Sequence, residues 1–196
     1  MMRTLHYPSR WLAIVALSAL IAGCASTTVS LTPPQQRPVC DPSQAALVVW
    51  SPQWRPDQKD VAEREAAVAT GLTNFLAAAD CFARSEGRRV PDLTLATVSA
   101  QATGTNGGFT QMVAIGVREL GPTVKLLSSA ALVEGGTEVV LHVAVFAVPA
   151  AMPIREFTVH WKHGGPGVVK GVATLAGDMQ AALRAGLQAG STPNHR

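Results

Sequence analysis

Apolar and polar residues alternate along this chain with more than one period, and each period predicts an element. Gln44–Trp50 is a short apolar run between proline-containing segments, the pattern of a buried strand. Over Gln58–Phe82, Val61, Val68, Leu72, Phe75, Leu76 and Ala79 recur at three- and four-residue spacing, while Lys59, Glu63 and Asn74 occupy the opposite face. That is an amphipathic helix, with Asp57 placed after Pro56 to cap it. Residues 83–92, with Arg84, Arg88 and Arg89, read as a polar loop. Leu93–Ser99 reads as a second strand, and Gln101–Gly108 as a turn-rich segment. Four strands are then predicted in series, over Gln111–Glu119, Thr123–Ala131, Thr137–Val148 and Ile154–Lys162. Turns at Gly121-Pro122 and Glu134-Gly135-Gly136 and a break at 149–153 separate them. The last strand alternates Phe157, Val159 and Trp161 against Glu156, Thr158, His160 and Lys162. A closing helix over Val169–Gln188 carries the stripe Val172, Leu175, Met179, Leu183 and Leu187. The expected fold class is therefore α+β. It has a mainly antiparallel sheet, in the order β-α-β, a four-strand meander and α, with the helices packed on one face. Residues 40–190 make one domain and 191–196 a disordered tail.

The N-terminus follows different rules. Residues 1–10 hold Arg3 and Arg10 and no acid, and residues 11–23 are an uncharged, mostly apolar run of 13. A bilayer-spanning helix needs about 20 such residues. A basic start, a short apolar run and a small-residue end instead make an export signal over residues 1–23. Its removal changes the charge. The full chain has 16 Lys+Arg against 13 Asp+Glu, and without Arg3 and Arg10 the excess falls from +3 to +1. That near balance excludes a polybasic nucleic-acid binder. An apolar content of 47% excludes a disordered chain.

Ile21-Ala22-Gly23-Cys24 resembles the lipobox of bacterial lipoproteins. The resemblance implies cleavage before Cys24 and acylation of its thiol and its new amino terminus. Three acyl chains exceed the two signals needed for stable anchoring. Ala25 and Ser26 follow, with no aspartate, which in Gram-negative lipoproteins implies release to the outer membrane. Residues 24–39 then read as the lipidated cysteine and a flexible, Ser/Thr/Pro/Gln-rich tether that could hold the domain some 45 Å from its anchor.

Two further cysteines, Cys40 and Cys81, remain for an oxidising compartment, which favours a disulfide. If the first helix packs antiparallel on the first strand, the ten residues from Trp50 back to Cys40 span about 33 Å and the 23 from Gln58 to Cys81 about 35 Å. The two thiols then lie level. Two free thiols or a metal pair are the alternatives, and no neighbouring ligand supports either.

Catalytic constellations are harder to find. No G-x-S-x-G elbow is present. Gly164–Gly171 is glycine-rich but lacks the spacing and the Ser/Thr of a phosphate loop, and reads as a turn. His142, His160 and His163 could meet across strands, without an evident carboxylate or cysteine to complete a metal set. Glu119, Glu134, Glu138 and Glu156 read as solvated strand faces rather than an acid/base pair. Arg118 with Glu119 and Arg155 with Glu156 are expected to pair across strands. Trp50 and Trp161 are expected to seal the core, and Trp54 either to cap it or to face a partner. No catalytic, cofactor or metal residue is assigned.

Lipobox, tether and element order together resemble small proteobacterial lipoproteins of uncharacterised function. At the level of fold they resemble penicillin-binding-protein activator lipoproteins, the curli-secretion lipoprotein and the N-terminal domain of TolB. The resemblance implies an outer-membrane-anchored, periplasm-facing lipoprotein. Export targeting together with the absence of a catalytic constellation and the near-balanced charge leads to the expectation that it touches the lipid bilayer through acylated Cys24, binds an envelope protein as an accessory factor, and has no enzymatic activity, cofactor or nucleic-acid partner. The alternative is a lipid or small-molecule binder that uses Thr137–Val148 and the 101–108 segment as a mouth. An envelope hydrolase is a third reading.

Overall fold

The computed structural model describes residues 25–34, 36–78, 80–104, 108–127, 132–149 and 152–188. Six strands form one mixed sheet: β1 (Ser26–Thr32), β2 (Asp41–Pro52), β3 (Phe82–Arg89), β4 (Gln111–Leu127), β5 (Leu132–Ala147) and β6 (Pro153–Pro166). Their spatial order is β1-β6-β5-β4-β2-β3. β2 pairs parallel with both β3 and β4, and the other neighbours run antiparallel. Three α-helices cover the sheet: α1 (Val61–Ala78), α2 (Leu95–Thr103) and α3 (Leu175–Leu187), the last preceded by a short 3-10 turn at Val172–Thr174.

The α+β class stands, with corrections to its elements. First, the supposed tether contains β1, which pairs along its whole length with β6, from Ser26 opposite Gly164 to Thr32 opposite Thr158. Second, the loop at 83–92 is the edge strand β3. Third, the strand expected at Leu93–Ser99 is helix α2. Asp92 Oδ1 accepts bonds from Thr94 N at 3.0 Å and Thr97 Oγ1 at 2.7 Å, and Thr94 caps the first turn. The β-branched residues at 94, 97 and 98 imitate a strand, but the Asp-x-Thr cap and the burial of Val98 and Ala102, four residues apart, decide for a helix. Fourth, the meander has three strands. Gly121-Pro122 does not turn the chain, because β2 ends opposite Val117 and the remainder of β4 has a free side where proline removes no needed donor. Glu134-Gly135-Gly136 likewise lies within β5.

The core has two layers. On one face α1 and α3 cover Val48, Val113, Ile115, Leu141, Val143, Phe157 and Trp161 together with their own Phe75, Met179 and Leu183. The helices approach closely at Gly71, where a Cβ would stand 2.6 Å from Ala176 O and 2.7 Å from Met179 Cβ. On the other face α2 lies at the β2–β4 end of the sheet, in a cluster with Leu47 and Val49 of β2, Met112 of β4 and Ala144 of β5. Helices therefore lie on both faces rather than one. The outer side of β1, β6 and the start of β5 has no helix over it among the described residues.

Cys40 and Cys81 are joined, with Cα atoms 4.5 Å apart. The bond ties the start of β2 to the start of β3 beneath the crossover helix α1. α1 begins at Val61 rather than Gln58, so Asp57 does not cap it; Asp57 lies instead 3.9 Å from Arg55.

Candidate functional site

The helix-free side of the sheet carries a grouping of polar side chains. Ser26, Gly164, Gly136 and Thr123 form one row across β1, β6, β5 and β4. A cleft of about 170 Å³ opens around this row, lined by residues that include Ser26, Thr28, Glu138, Lys162 and Gly164. Glycines at 135, 136, 164 and 165 also line it, so backbone rather than side chains forms much of its floor.

Glu138 organises the charges. His160 Nε2 donates to its Oε1, and Lys162 Nζ stands 3.4 Å from the same oxygen. Partial burial pushes this carboxyl up. The His160 hydrogen bond and the charges of Lys162 and His160 together outweigh that effect, holding it below the ordinary glutamate value of 4.5. On the helix side of the same strands, Thr27 Oγ1 lies 2.7 Å from His163 Nδ1, and the His163 ring stacks on Trp161. Deeper still, Asp178 is 7% exposed and accepts from Thr137 Oγ1 at 2.6 Å, Lys170 Nζ at 2.6 Å and Thr174 Oγ1 at 3.1 Å. These bonds pin Lys170, Thr174 and the first turn of α3 to β5. Lys170 is thereby neutralised, which supports reading Gly164–Gly171 as a connection rather than a phosphate cradle.

A second polar node lies where α1 begins. Arg64 is 6% exposed; it donates to Lys59 O at 2.8 Å and to Leu120 O, and lies 3.4 Å from Glu119. Gly121 leaves the space that this guanidinium occupies, since a Cβ there would stand 1.9 Å from Arg64 Nη1. Glu119 also pairs with Arg55 at 3.5 Å, so its partners are Arg55 and Arg64 rather than Arg118. Arg155 likewise leaves Glu156 and donates to the carbonyls of Arg37 at 2.6 Å and Pro38 at 3.3 Å. Both nodes hold the fold together. Sequence reasoning missed Arg64 because a charged residue on an apolar helix face gives no signal of the carbonyls that await it.

Several expected groupings come apart in three dimensions. His142 pairs with Thr158, two positions from His160 along β6, while His163 turns to the helix side. Among the described residues no group of three His, Cys, Asp or Glu side chains is placed to share a metal ion. Glu134 and Glu138 both line the cleft but sit four residues apart on one strand, about 13 Å, beyond the separation at which two carboxylates cleave a glycoside. Trp50 and Trp161 are buried in the core, and Trp54 packs against it. Cys24 lies outside the described residues, as do 105–107 of the segment expected to form a mouth. No described helix is long and apolar enough to cross a membrane.

No family model and no curated protein matches the chain. Among solved structures, the PelC dodecamer from Paraburkholderia phytofirmans overlaps with a TM-score of 0.47 at 18% identity, over 84% of this chain and 99% of that one. Lipoprotein GNA1162 from Neisseria meningitidis overlaps with a TM-score of 0.36 at 12% identity, over 72% of this chain and 96% of that one. At these scores the likenesses carry no argument about function.

Proposed function

We propose that this chain is a lipoprotein of the bacterial cell envelope, anchored through acylated Cys24 to the periplasmic side of the outer membrane. It acts there as a binding accessory factor for an envelope protein. The observation that carries the reading is the Ile21–Cys24 motif at the end of a short export signal. The helix-free side of β1, β6 and β5 is the binding surface in this reading. It is polar, and it carries charges of both signs at Glu138 and Lys162. Such a face suits a polar protein partner better than a lipid or a small apolar molecule.

The alternative of a small-molecule or lipid binder loses support from the packing. Val139, Leu141, Val143 and Val145 of β5 are all buried in the core. The cleft of about 170 Å³ is smaller than the roughly 300–1,000 Å³ of small-molecule sites. Metabolic labelling with palmitate tests the anchor: wild type takes up label and Cys24→Ala does not. Label retained by Cys24→Ala, or a mature N-terminus at another residue, ends the reading. A photocrosslinker at Lys162 in intact cells tests the binding role, and is expected to capture an envelope protein that one at Glu63 on α1 does not.

A further inference from the structure

We infer that β1 is a self-pairing edge: two copies of this chain join antiparallel through Ser26–Thr32, about a two-fold axis at Val29, into one continuous sheet. The inference goes beyond the accessory role proposed above and does not depend on acylation of Cys24. β1 is outermost in the sheet, with β6 on one side and, among the described residues, no strand on the other. In an antiparallel edge strand every second residue turns its N–H and C=O away from its neighbour. Among the described residues, no backbone hydrogen bond from 26–32 reaches any element but β6. An edge in that state is a template for another strand unless charge, proline or a bulge blocks it. The opposite edge has such a block, with Arg84, Glu86, Arg88 and Arg89 among the eight residues of β3. β1 has none. Its seven residues, Ser-Thr-Thr-Val-Ser-Leu-Thr, carry no charge and no proline, and its register with β6 runs without a shift.

The sequence of β1 makes a second copy the fitting occupant. Two-fold antiparallel pairing sets residues of the same face opposite one another, and full overlap of seven residues puts the middle one, Val29, opposite itself. Thr27 then meets Leu31 on either side of the Val29 pair. That is the side of the sheet where Leu31 packs on the core and Val29 lies opposite Trp161. On the helix-free side Ser26 meets Thr32 and Thr28 meets Ser30, as hydroxyl pairs of the kind that stabilise neighbouring strands. No charge is buried, and Val29, 40% exposed in the single chain, is covered. Any other two-fold register shortens the overlap. Ser26 and Thr28 also line the cleft, so the second copy sets its own Thr32 and Ser30 beside it.

The test uses the full chain in intact cells, with a photocrosslinking residue at Val29 or, on the opposite edge, at Glu86; both positions are exposed. The crosslinker at 29 is expected to give a product of twice the chain's mass, whose joined peptide holds residues 26–32 of a second copy. The one at 86 is expected to give no such product. Another protein captured at 29, equal dimer at both positions, or dimer at neither overturns the inference. Val29→Lys and Val29→Asp test the register, and neither places a charge in the core of the single chain. In sedimentation of the detergent-extracted full chain, each variant alone is expected to weaken self-association about fivefold or more, because like charges then stand directly opposite. The two variants mixed are expected to pair again, since position 29 faces only itself. A dimer that either variant leaves intact, or a mixture that stays monomeric, overturns the pairing, whereas palmitate labelling of Cys24 bears only on the anchor.

Discussion

The two edges of the sheet are both strands of polar residues, yet they are fastened differently. β3 follows immediately on Cys81, which is bonded to Cys40. Its Arg89 pairs with Glu65 of α1 at 2.7 Å, and the Arg84 guanidinium stands 4.6 Å from the centre of the Phe109 ring. β1 has the full antiparallel ladder to β6; among the described residues, beyond that ladder, Leu31 packs on the core and Thr27 reaches a partner side chain, His163. Equal backbone pairing thus coexists with unequal side-chain fastening. The free energy of opening an edge follows the fastening rather than the ladder. The weaker edge is also the one attached to the proposed anchor, so any pull on Cys24 acts first on the β1–β6 ladder.

The contrast can be broken from either side. The largest effect is expected from Cys40→Ser with Cys81→Ser. Opening a 41-residue link costs roughly 4 kcal/mol in the chain-entropy model, read by urea denaturation of oxidised wild type and variant. A loss below about 1 kcal/mol would mean that the arginines rather than the disulfide hold the β3 edge. Next is Leu31→Ala. The half-buried side chain is expected to contribute about 1–2 kcal/mol, less than a fully buried leucine. Hydrogen exchange should show β1 amides losing protection while those of β3 keep theirs, and parallel loss in both strands would erase the distinction. Arg89→Ala should cost only about 0.2–1 kcal/mol, because the pair is largely exposed.

The smallest effect concerns pH. The folded state holds the Glu138 carboxyl below its ordinary value of 4.5, so its ionised form contributes stability above that pH. The contribution is lost as pH falls through the folded value. Glu138→Gln should therefore be less stable than wild type at neutral pH, with the gap closing in acid below about 4.5. A gap that widens on acidification would contradict the assigned sign.

Legibility followed the source of each element's stability. α1, α3 and the inner strands β2, β5 and β6 bury a continuous stripe, and periodicity reported them. β3 could not be read this way, since its alternation carries no apolar face and its Arg84 and Arg89 set their guanidinium groups over the rings of Phe109 and Trp50, a contact visible only in three dimensions. β1 read as a tether because Ser, Thr and Pro are common to linkers and to solvent-facing edge strands. The end of β2 removed the need for a turn at Gly121-Pro122, a long-range condition that the dipeptide does not encode. Of the candidate site, single residues were legible but their grouping was not. Glu138, His160 and Lys162 were assigned to strand faces, and only cross-strand register brought them together.

By itself the sequence determined the α+β class and the buried faces of α1, α3 and the inner strands, and it is the source of the proposal that Cys24 ends an export signal. All of these depend on local composition and period. Only the tertiary structure decided that β1 is part of the sheet, that β4 runs on past β2, and that the start of β1 and the far part of β4 share one end. Those facts depend on pairing between segments far apart in the chain, where hydrogen bonds and burial are gained only once the partner is in place.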